Sequence, residues 1–307
     1  MADATSKNPG AQPAETTGLI SLATTAALFT VLMWGGSSMA TKIGTSAMDG
    51  FTLALMRIIA AGPFALLLIV FMRLRLPWYA GDRFYFAIVV VTGMALAPLL
   101  FTLGVQYTTA GHAAVASAST SIFTGLIDAA ARRQWPRTRW WIGVAIAFSG
   151  ALILIAEAVG LGSTDATWQG DLLVISAAIA GSTGFYLGSR LSMRHGALAI
   201  TLWTVVAASV LLLPILFVTT SLAELSRVSA LSWVVIFYLA AGASVFATIA
   251  WYYALTRGGI GRMAVWQFAL PIVGVGLAAI VLGEPITLLL AVSVAVILSG
   301  IALVQRC

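Results

Sequence analysis

Long apolar runs separated by short polar loops recur along the whole chain, and this pattern limits the possible folds more than any other feature. A helix needs about 20 apolar residues to cross the hydrocarbon core of a bilayer. Of the 307 residues, 61% are hydrophobic and only 8% are charged, and the mean hydropathy is +1.02. No soluble domain buries that much apolar surface, so the sequence predicts an all-α membrane protein. We predict ten transmembrane helices, over residues 19–42, 50–72, 84–107, 111–131, 138–158, 168–190, 197–220, 229–256, 262–283 and 286–305.

The second half of the chain repeats the first at an offset of 150 residues. Without a gap, Gly111, Ala114, Val115, Ser149 and Gly150 recur as Gly261, Ala264, Val265, Ser299 and Gly300. Such an internal repeat indicates two copies of one structural unit. We predict a first five-helix repeat over 19–158 and a second over 168–305. The polar N-terminal tail, 1–18, is expected to be disordered.

Lys and Arg are distributed unequally between alternate loops. If the N-terminus is cytoplasmic, the outer loops hold only Lys42 and Arg227, and the inner loops hold most of the cations. The positive-inside rule then predicts that both termini are cytoplasmic. Because each repeat has an odd number of spans, the second repeat must be inverted relative to the first. Inverted repeats are typical of transporters, since exchanging the conformations of the two halves exchanges inward and outward access.

Several classes of function are disfavoured by what the sequence lacks. A single cysteine, Cys307, permits no intrachain disulfide, and no HExxH, Walker or strand-preceded GxGxxG motif occurs. We therefore expect no enzyme activity, no metal and no cofactor. The net charge of +6 comes from cations at the span ends rather than in a basic patch, so no nucleic-acid partner is expected. The expected partners are a small-molecule substrate and the lipid bilayer, with the protein acting as a monomer.

Short motifs within the spans resemble a known transporter family. They are Trp34-Gly35 in the first span, Arg57 in the second, and Leu282-Gly283-Glu284-Pro285 before a last span ending in Ser299-Gly300. Together with the ten-span inverted repeat, they resemble the drug/metabolite transporter superfamily, EamA-type ten-helix branch, over about 19–305. Within that branch the chain is most similar to the bacterial aromatic amino acid exporters. One departure is Gln134, which stands where the first repeat of the family often carries an acid matching Glu284.

The resemblance implies a location and a transport path. Members of this group move amino acids out through the cell inner membrane, so we expect a multi-pass protein of that membrane. The substrate is expected to lie at mid-depth between the two halves, lined by the first, third, fourth, sixth, eighth and ninth spans.

Aromatic and polar side chains within the spans are the candidate substrate-binding residues. An aromatic wall suits flat apolar side chains by stacking and an ammonium group by cation–π attraction. Polar groups inside a bilayer are costly and are therefore functional candidates. Packing of small residues and anchoring of aromatic residues at the interface are the alternative roles. The candidates are Trp34, Ser117, Ser121, Tyr186, Trp251, Tyr252 and Gln267.

Other residues are candidates for gating or coupling: His112, Asp128, Pro98 and Pro271. Pro271 is expected to free a carbonyl one turn earlier, beside Gln267, and so to form a polar notch. The sequence favours a solvated helix end for His112 and a local ion pair with Arg132 for Asp128. It also favours outward snorkelling of Arg57 over neutralisation of a substrate carboxylate.

The inverted repeat predicts transport by alternating access, and the resemblance implies an exporter of aromatic and other neutral amino acids. No carboxylate occupies the middle of a predicted span, so we expect facilitative transport. Exchange, or coupling through His112 or Asp128, stays open. The alternative is an exporter of another small metabolite or drug-like compound on the same fold, with or without proton coupling. A membrane enzyme or receptor is the third hypothesis, and the lack of catalytic motifs disfavours it.

Overall fold

The computed structural model describes residues 14–77, 79, 81–133, 138–157, 165–220 and 228–305, and within these ranges all regular structure is helical, as predicted. The α-helices are α1 (Ala14–Ala47), α2 (Gly50–Met72), α3 (Arg83–Tyr107), α4 (Ala110–Ser117), α5 (Thr120–Arg132), α6 (Thr138–Ala156), α7 (Trp168–His195), α8 (Ala197–Thr219), α9 (Ala230–Gly258), α10 (Ile260–Met263), α11 (Leu270–Leu282) and α12 (Leu288–Gln305). A 3₁₀ segment, Ala264–Ala269, links α10 to α11.

Seven stretches among the described residues are long and apolar enough to cross a membrane, so the chain is a multi-pass membrane protein. They are α1 from Leu22, α2, α3, α4 together with α5, α7, α8 and α9. The apolar helices Leu270–Leu282 and Leu288–Gly300 are shorter. The ten-span topology and the cytoplasmic termini therefore stay predictions.

The first helix is longer than its predicted span of 19–42. It begins at Ala14, inside the tail expected to be disordered, and continues to Ala47. Residues 1–13 of that tail lie outside the described part of the chain, as does Gln134. The next helix begins at Gly50, where the Asp49 carboxylate accepts hydrogen bonds from the amides of Phe51 (2.9 Å) and Thr52 (3.2 Å). This N-cap explains why the chain turns sharply between α1 and α2.

Departures from regular α-helix recur at the offset of the sequence repeat. A π-helical segment, Val89–Leu96, interrupts α3, and a second, Tyr238–Phe246, interrupts α9 at the corresponding place. The break between α4 and α5 corresponds to the 3₁₀ segment between α10 and α11. π-segments in helices often mark functional sites because they redirect backbone groups and side chains. These two π-segments contribute to the central cavity described below, whereas a third, Ala278–Leu282 at the end of α11, does not.

Two helix crossings depend on glycine. At the crossing of α3 and α7, a Cβ added to Gly184 would lie 2.5 Å from the Cα of Gly93. Where α11 crosses α4, a Cβ on Gly274 would lie 2.3 Å from the Cβ of Ala114. Helices in membranes associate largely by such close packing of small residues. These crossings bring the helices of the two halves close together around the cavity.

We predict that Gly184→Ala lowers the melting temperature of the purified protein in detergent. The added methyl group meets backbone atoms of Gly93, so the two helices have to separate, at a cost of about 1–3 kcal/mol. Gly276→Ala in α11 is the matched control, because no atom lies within 4 Å of the added Cβ. The control is expected to melt at or above the temperature of the wild type. A Gly184→Ala protein as stable as the control would show that this crossing does not limit the packing.

Candidate functional site

A cavity of about 160 Å³ lies among the helices and is lined from both halves of the chain. All six predicted lining helices contribute to it: α1, α3, the α4–α5 pair, α7, α9, and the segment around the start of α11. Two further helices, α2 and α8, also line it. Its walls are mostly small and apolar residues. We call it the central cavity.

Arg57 on α2 lines the central cavity and is only 5% exposed. The expectation that it snorkels outward is therefore wrong. Ile58 and Ala61, on the same side of α2, also line the cavity, so this side of the helix faces inward. Outward snorkelling needs a side chain that points to the bilayer surface.

Few groups of the protein stabilise the buried positive charge of the Arg57 guanidinium. Its Nη1 donates to the Thr102 hydroxyl at 3.3 Å, and its Nε has no hydrogen-bond partner among the described residues. None of the ion pairs in the described part includes Arg57. A buried charge without a partner is strongly unfavourable, so this arrangement fits a ligand that brings an anionic group.

An aromatic cluster forms another part of the wall. Trp34 and Phe185 both line the cavity, and their rings stack with centroids 5.1 Å apart. Trp251 packs behind them, 5.7 Å from Trp34, and is 1% exposed. The indole N–H of Trp34 donates to the carbonyl of Ala243 at 2.9 Å, inside the π-segment of α9. The indole N–H of Trp34 is therefore hydrogen-bonded, and its ring lines the cavity.

Polar side chains from α4 and the 3₁₀ segment complete the wall. Ser117 and Gln267 line the cavity, whereas Ser121 contacts Gln267 with Oγ 3.4 Å from Oε1. The predicted notch before Pro271 takes another form, because the chain changes to 3₁₀ geometry there. The Gln267 carbonyl accepts the amide of Leu270, so it is not left free.

The structure brings Trp34, Ser117, Gln267 and Pro98 together around the cavity, and the other candidates lie elsewhere. Tyr252 is fully buried, and its hydroxyl donates to the Gly184 carbonyl at 3.2 Å. Tyr186 points away from the cavity side of α7 and accepts from Arg190 Nη1 at 3.1 Å. The half-buried Asp128 lies on α5, outside the lining, and the Arg132 side chain is not among those described.

His112 lies in a buried cluster of charged groups instead of at a solvated helix end. It is 1% exposed, and its ring lies between Glu157, just after α6, and Asp171 on α7. Its Nδ1 lies 3.1 Å from Asp171 Oδ2, and its Nε2 lies 3.5 Å from Glu157 Oε2. The Thr108 hydroxyl donates to the other oxygen of Asp171 at 2.7 Å, and the Thr287 hydroxyl donates to Glu157. We call His112, Glu157 and Asp171 the His112 cluster.

Glu157 and Asp171 fall at the ends of the predicted spans 138–158 and 168–190, and nothing in the sequence alone paired them with His112, so the cluster was not predicted. Each acid stands at the end of an apolar run, on either side of one short loop. His112 begins another run at the same predicted end of the molecule. The sequence signal for such a cluster is the presence of three titratable residues at the ends of apolar runs on one side of the membrane.

Glu284 binds the N-terminus of α4. Its two carboxylate oxygens accept the amides of Ala110 at 2.8 Å and Gly111 at 2.9 Å. A helix N-terminus carries unpaired amides and partial positive charge, both of which a carboxylate stabilises. The acid of the Gly-Glu-Pro motif therefore fastens the segment before α12 to α4.

Asp82 connects the two halves at the opposite end of the bundle. It lies just before α3 and receives Arg194 Nη1 and His195 Nε2, both at 2.8 Å, from the end of α7. The hydrogen bond from His195 and the positive charge of Arg194 hold the pKa of the Asp82 carboxyl below its usual range.

A family model for EamA-like transporters matches residues 21–156 and again residues 168–306. The chain belongs to the EamA-like transporter family. The resemblance stated from the motifs is thereby confirmed at the level of the family. Both matched stretches of this EamA-like chain contribute residues to the central cavity.

Relatives of this EamA-like protein are named as transporters. A Bacillus subtilis protein named uncharacterized transporter YdeK is 28% identical over 87% of this chain and 92% of its own. An uncharacterized transporter of Archaeoglobus fulgidus is 26% identical over 79% of this chain and 83% of its own. A protein of Streptantibioticus cattleyicolor named probable terminal-alkyne amino-acid exporter is 26% identical over 94% of both chains.

A solved crystal structure shares the fold of this EamA-like chain. It covers 92% of this chain and 96% of its own, with a TM-score of 0.67 at 17% sequence identity. At that identity the likeness concerns the fold alone.

We predict that Asp82→Asn lowers the melting temperature at neutral pH and that the difference becomes smaller in acid. A carboxyl whose pKa is lowered by folding stabilises the protein above its unfolded pKa of about 4 and loses this effect as the pH falls through its folded pKa. Thermal unfolding in detergent between pH 7 and pH 3 measures the effect. Equal melting temperatures of Asp82→Asn and wild type at pH 7 would contradict a stabilising role for this contact.

Proposed function

We propose that this EamA-like transporter exports amino acids, aromatic and other neutral ones, across the cell inner membrane by alternating access. The observation that carries the proposal is Arg57, a buried guanidinium without an ion-pair partner among the described residues, in the wall of a mostly apolar cavity. A substrate carboxylate would supply the missing anion in a charge-assisted and potentially bidentate pair. The net export direction follows from the substrate gradient.

The remainder of the cavity suits the rest of such a substrate. Trp34 and Phe185 provide aromatic surface for a flat apolar side chain. Ser117 and Gln267 provide hydrogen-bonding groups for the ammonium end. The name of the Streptantibioticus cattleyicolor relative, an amino-acid exporter, supports the same substrate class.

The proposed mechanism uses the ten-span inverted repeat with both termini in the cytoplasm. The two matches of the family model and the recurrence of the π-segments support two equivalent halves. In this mechanism the halves rock around the central cavity, and binding groups from both halves stay with the substrate. Transport is facilitative in this mechanism, because no carboxylate that could carry a proton with the substrate is found among the described residues of the cavity lining.

A second candidate is an exporter of another small metabolite or drug-like compound. The small, mostly apolar residues of the wall favour it, because such a surface does not select one side chain. The unpaired Arg57 restricts this alternative to compounds with an anionic group and disfavours cationic drugs.

We predict that Arg57→Gln reduces uptake of labelled tryptophan and phenylalanine into proteoliposomes by about 10–100-fold. This range corresponds to the loss of one hydrogen-bonded charge contact of about 1.5–3 kcal/mol. The variant should fold as well as the wild type or better, because it removes an unpaired buried charge. Arg75→Gln is the control, since Arg75 is exposed in the segment after α2 and lies outside the lining of the central cavity.

Competition distinguishes the substrate classes in the same assay. Unlabelled phenylalanine should compete with tryptophan, whereas tryptamine, which lacks the carboxylate, should not. Full activity of Arg57→Gln, or equal competition by tryptamine, would rule out the carboxylate contact. If no amino acid enters but an unrelated organic anion does, the second candidate replaces the first.

A further inference from the structure

The His112 cluster lies between the central cavity and a second cavity at the same end of the bundle as the α1–α2 turn. This outer cavity has a volume of about 450 Å³ and is lined by His112, Glu157 and Lys42, among others. Ala114, two residues after His112 on α4, already lines the central cavity. On α1, Ser38 lines the central cavity and Lys42, one turn later, lines the outer one. The cluster therefore stands in the partition between the two cavities.

The cluster also joins the two halves of the chain. His112 and Glu157 come from the first half, and Asp171 and Thr287 come from the second. In the proposed mechanism, opening the central cavity toward this end has to separate the halves at this point. The contacts of His112 thus hold this end closed.

Three titratable side chains are packed here with exposures of only 0–1%. With both carboxylates ionised, a neutral His112 leaves two buried negative charges, and a protonated His112 cancels one of them. Buried net charge is unfavourable, so binding of a proton stabilises the closed arrangement. Histidine is the side chain that ordinarily changes charge between pH 5 and 8.

The contact between His112 and Glu157 lacks the hydrogen bond that a proton on either group would form. His112 Nε2 and Glu157 Oε2 lie 3.5 Å apart, and neither has a hydrogen-bond partner among the described residues. Both residues line the outer cavity, so these two buried atoms lie beside a cavity large enough to hold water. No set of three His, Cys, Asp or Glu side chains in the described part has a geometry that could hold a metal ion.

The charged groups around the cluster come from three other segments. Lys42 on α1 donates to the carbonyls of Thr108 at 2.6 Å and Val105 at 3.4 Å. Glu284 is held by the N-terminus of α4, and the exposed Asp165 lies in the loop before α7. Lys42 contributes one positive charge and the two acids contribute two negative ones. The surroundings therefore add negative charge to the cluster.

We propose that the His112 cluster is a proton-binding latch that keeps the outer end of the carrier closed. Protonation from the outer cavity locks the end, and loss of the proton as the pH rises favours its opening. Because the proton returns to the compartment from which it came, the latch changes the rate of transport and leaves transport facilitative. This inference rests on the proposed alternating access.

A distance measurement across the outer end tests the latch without any substrate. Spin labels at Ala47 and Trp168, both exposed, are placed on α1 and α7 in a Cys307→Ser background. Electron–electron double resonance is recorded at pH 5.5 and pH 8.5. We expect a longer mean distance at pH 8.5 than at pH 5.5 for the otherwise unmodified carrier.

Three variants identify the group responsible for this shift. His112→Gln should abolish the shift, whereas His195→Gln, which changes the other histidine of the chain, should retain it. Glu157→Gln imitates a protonated carboxyl and should keep the end closed at both pH values, which tests the latch even if His112→Gln fails to fold. The proposal is overturned by a wild-type distance that does not change with pH, by a shift retained in His112→Gln, or by an open end in Glu157→Gln. Failure of amino acid uptake, by contrast, would affect only the substrate assignment.

Discussion

A guanidinium inside a bundle of apolar helices is the constraint on which the site depends. Moving an ion from water to such surroundings costs several kcal/mol even after relaxation. Arg57 recovers little of that cost from the chain, since Thr102 is its one hydrogen-bond partner among the described residues. The fold keeps this side chain at 5% exposure beside the central cavity, where its positive charge requires a nearby negative charge. An anionic group of the proposed substrate would meet that requirement, which is why the charge supports the proposed transport site.

The backbone around Arg57 is shaped to leave room for such a substrate. The π-segments of α3 and α9 and the 3₁₀ segment before α11 all contribute to the cavity wall. Glycine contacts such as Gly93 with Gly184 let the helices cross closely just beside it. The π-segments of α3 and α9 occur in corresponding places of the two halves because both halves arise from one repeated sequence. A carrier with equivalent halves is the arrangement in which such a duplication has a mechanical use.

The helices were predictable from the sequence, whereas much of the site was not. Apolar runs and the Asp49 cap locate α2 at residues 50–72, because burial in lipid and capping are local properties. The direction of a side chain around a helix is set by neighbouring helices, so Arg57 was wrongly expected to snorkel. The same reason explains His112, whose partners Glu157 and Asp171 are 45 and 59 residues away in the chain. Trp34, Ser117 and Gln267 were chosen as aromatic or polar residues within the spans, and they line the cavity wall. Tyr186 and Tyr252 were chosen on the same grounds, but they pack between helices.

Charged contacts join the halves at both ends of the bundle, through Asp82 at one end and the His112 cluster at the other. The proposed substrate site, the central cavity with Arg57, lies between these contacts. A structure of the carrier with bound tryptophan tests this proposal most directly. The account predicts the tryptophan carboxylate within hydrogen-bonding distance of the Arg57 guanidinium and the indole ring against Trp34 and Phe185. Tryptophan bound away from Arg57, with that guanidinium still unpaired, would contradict it.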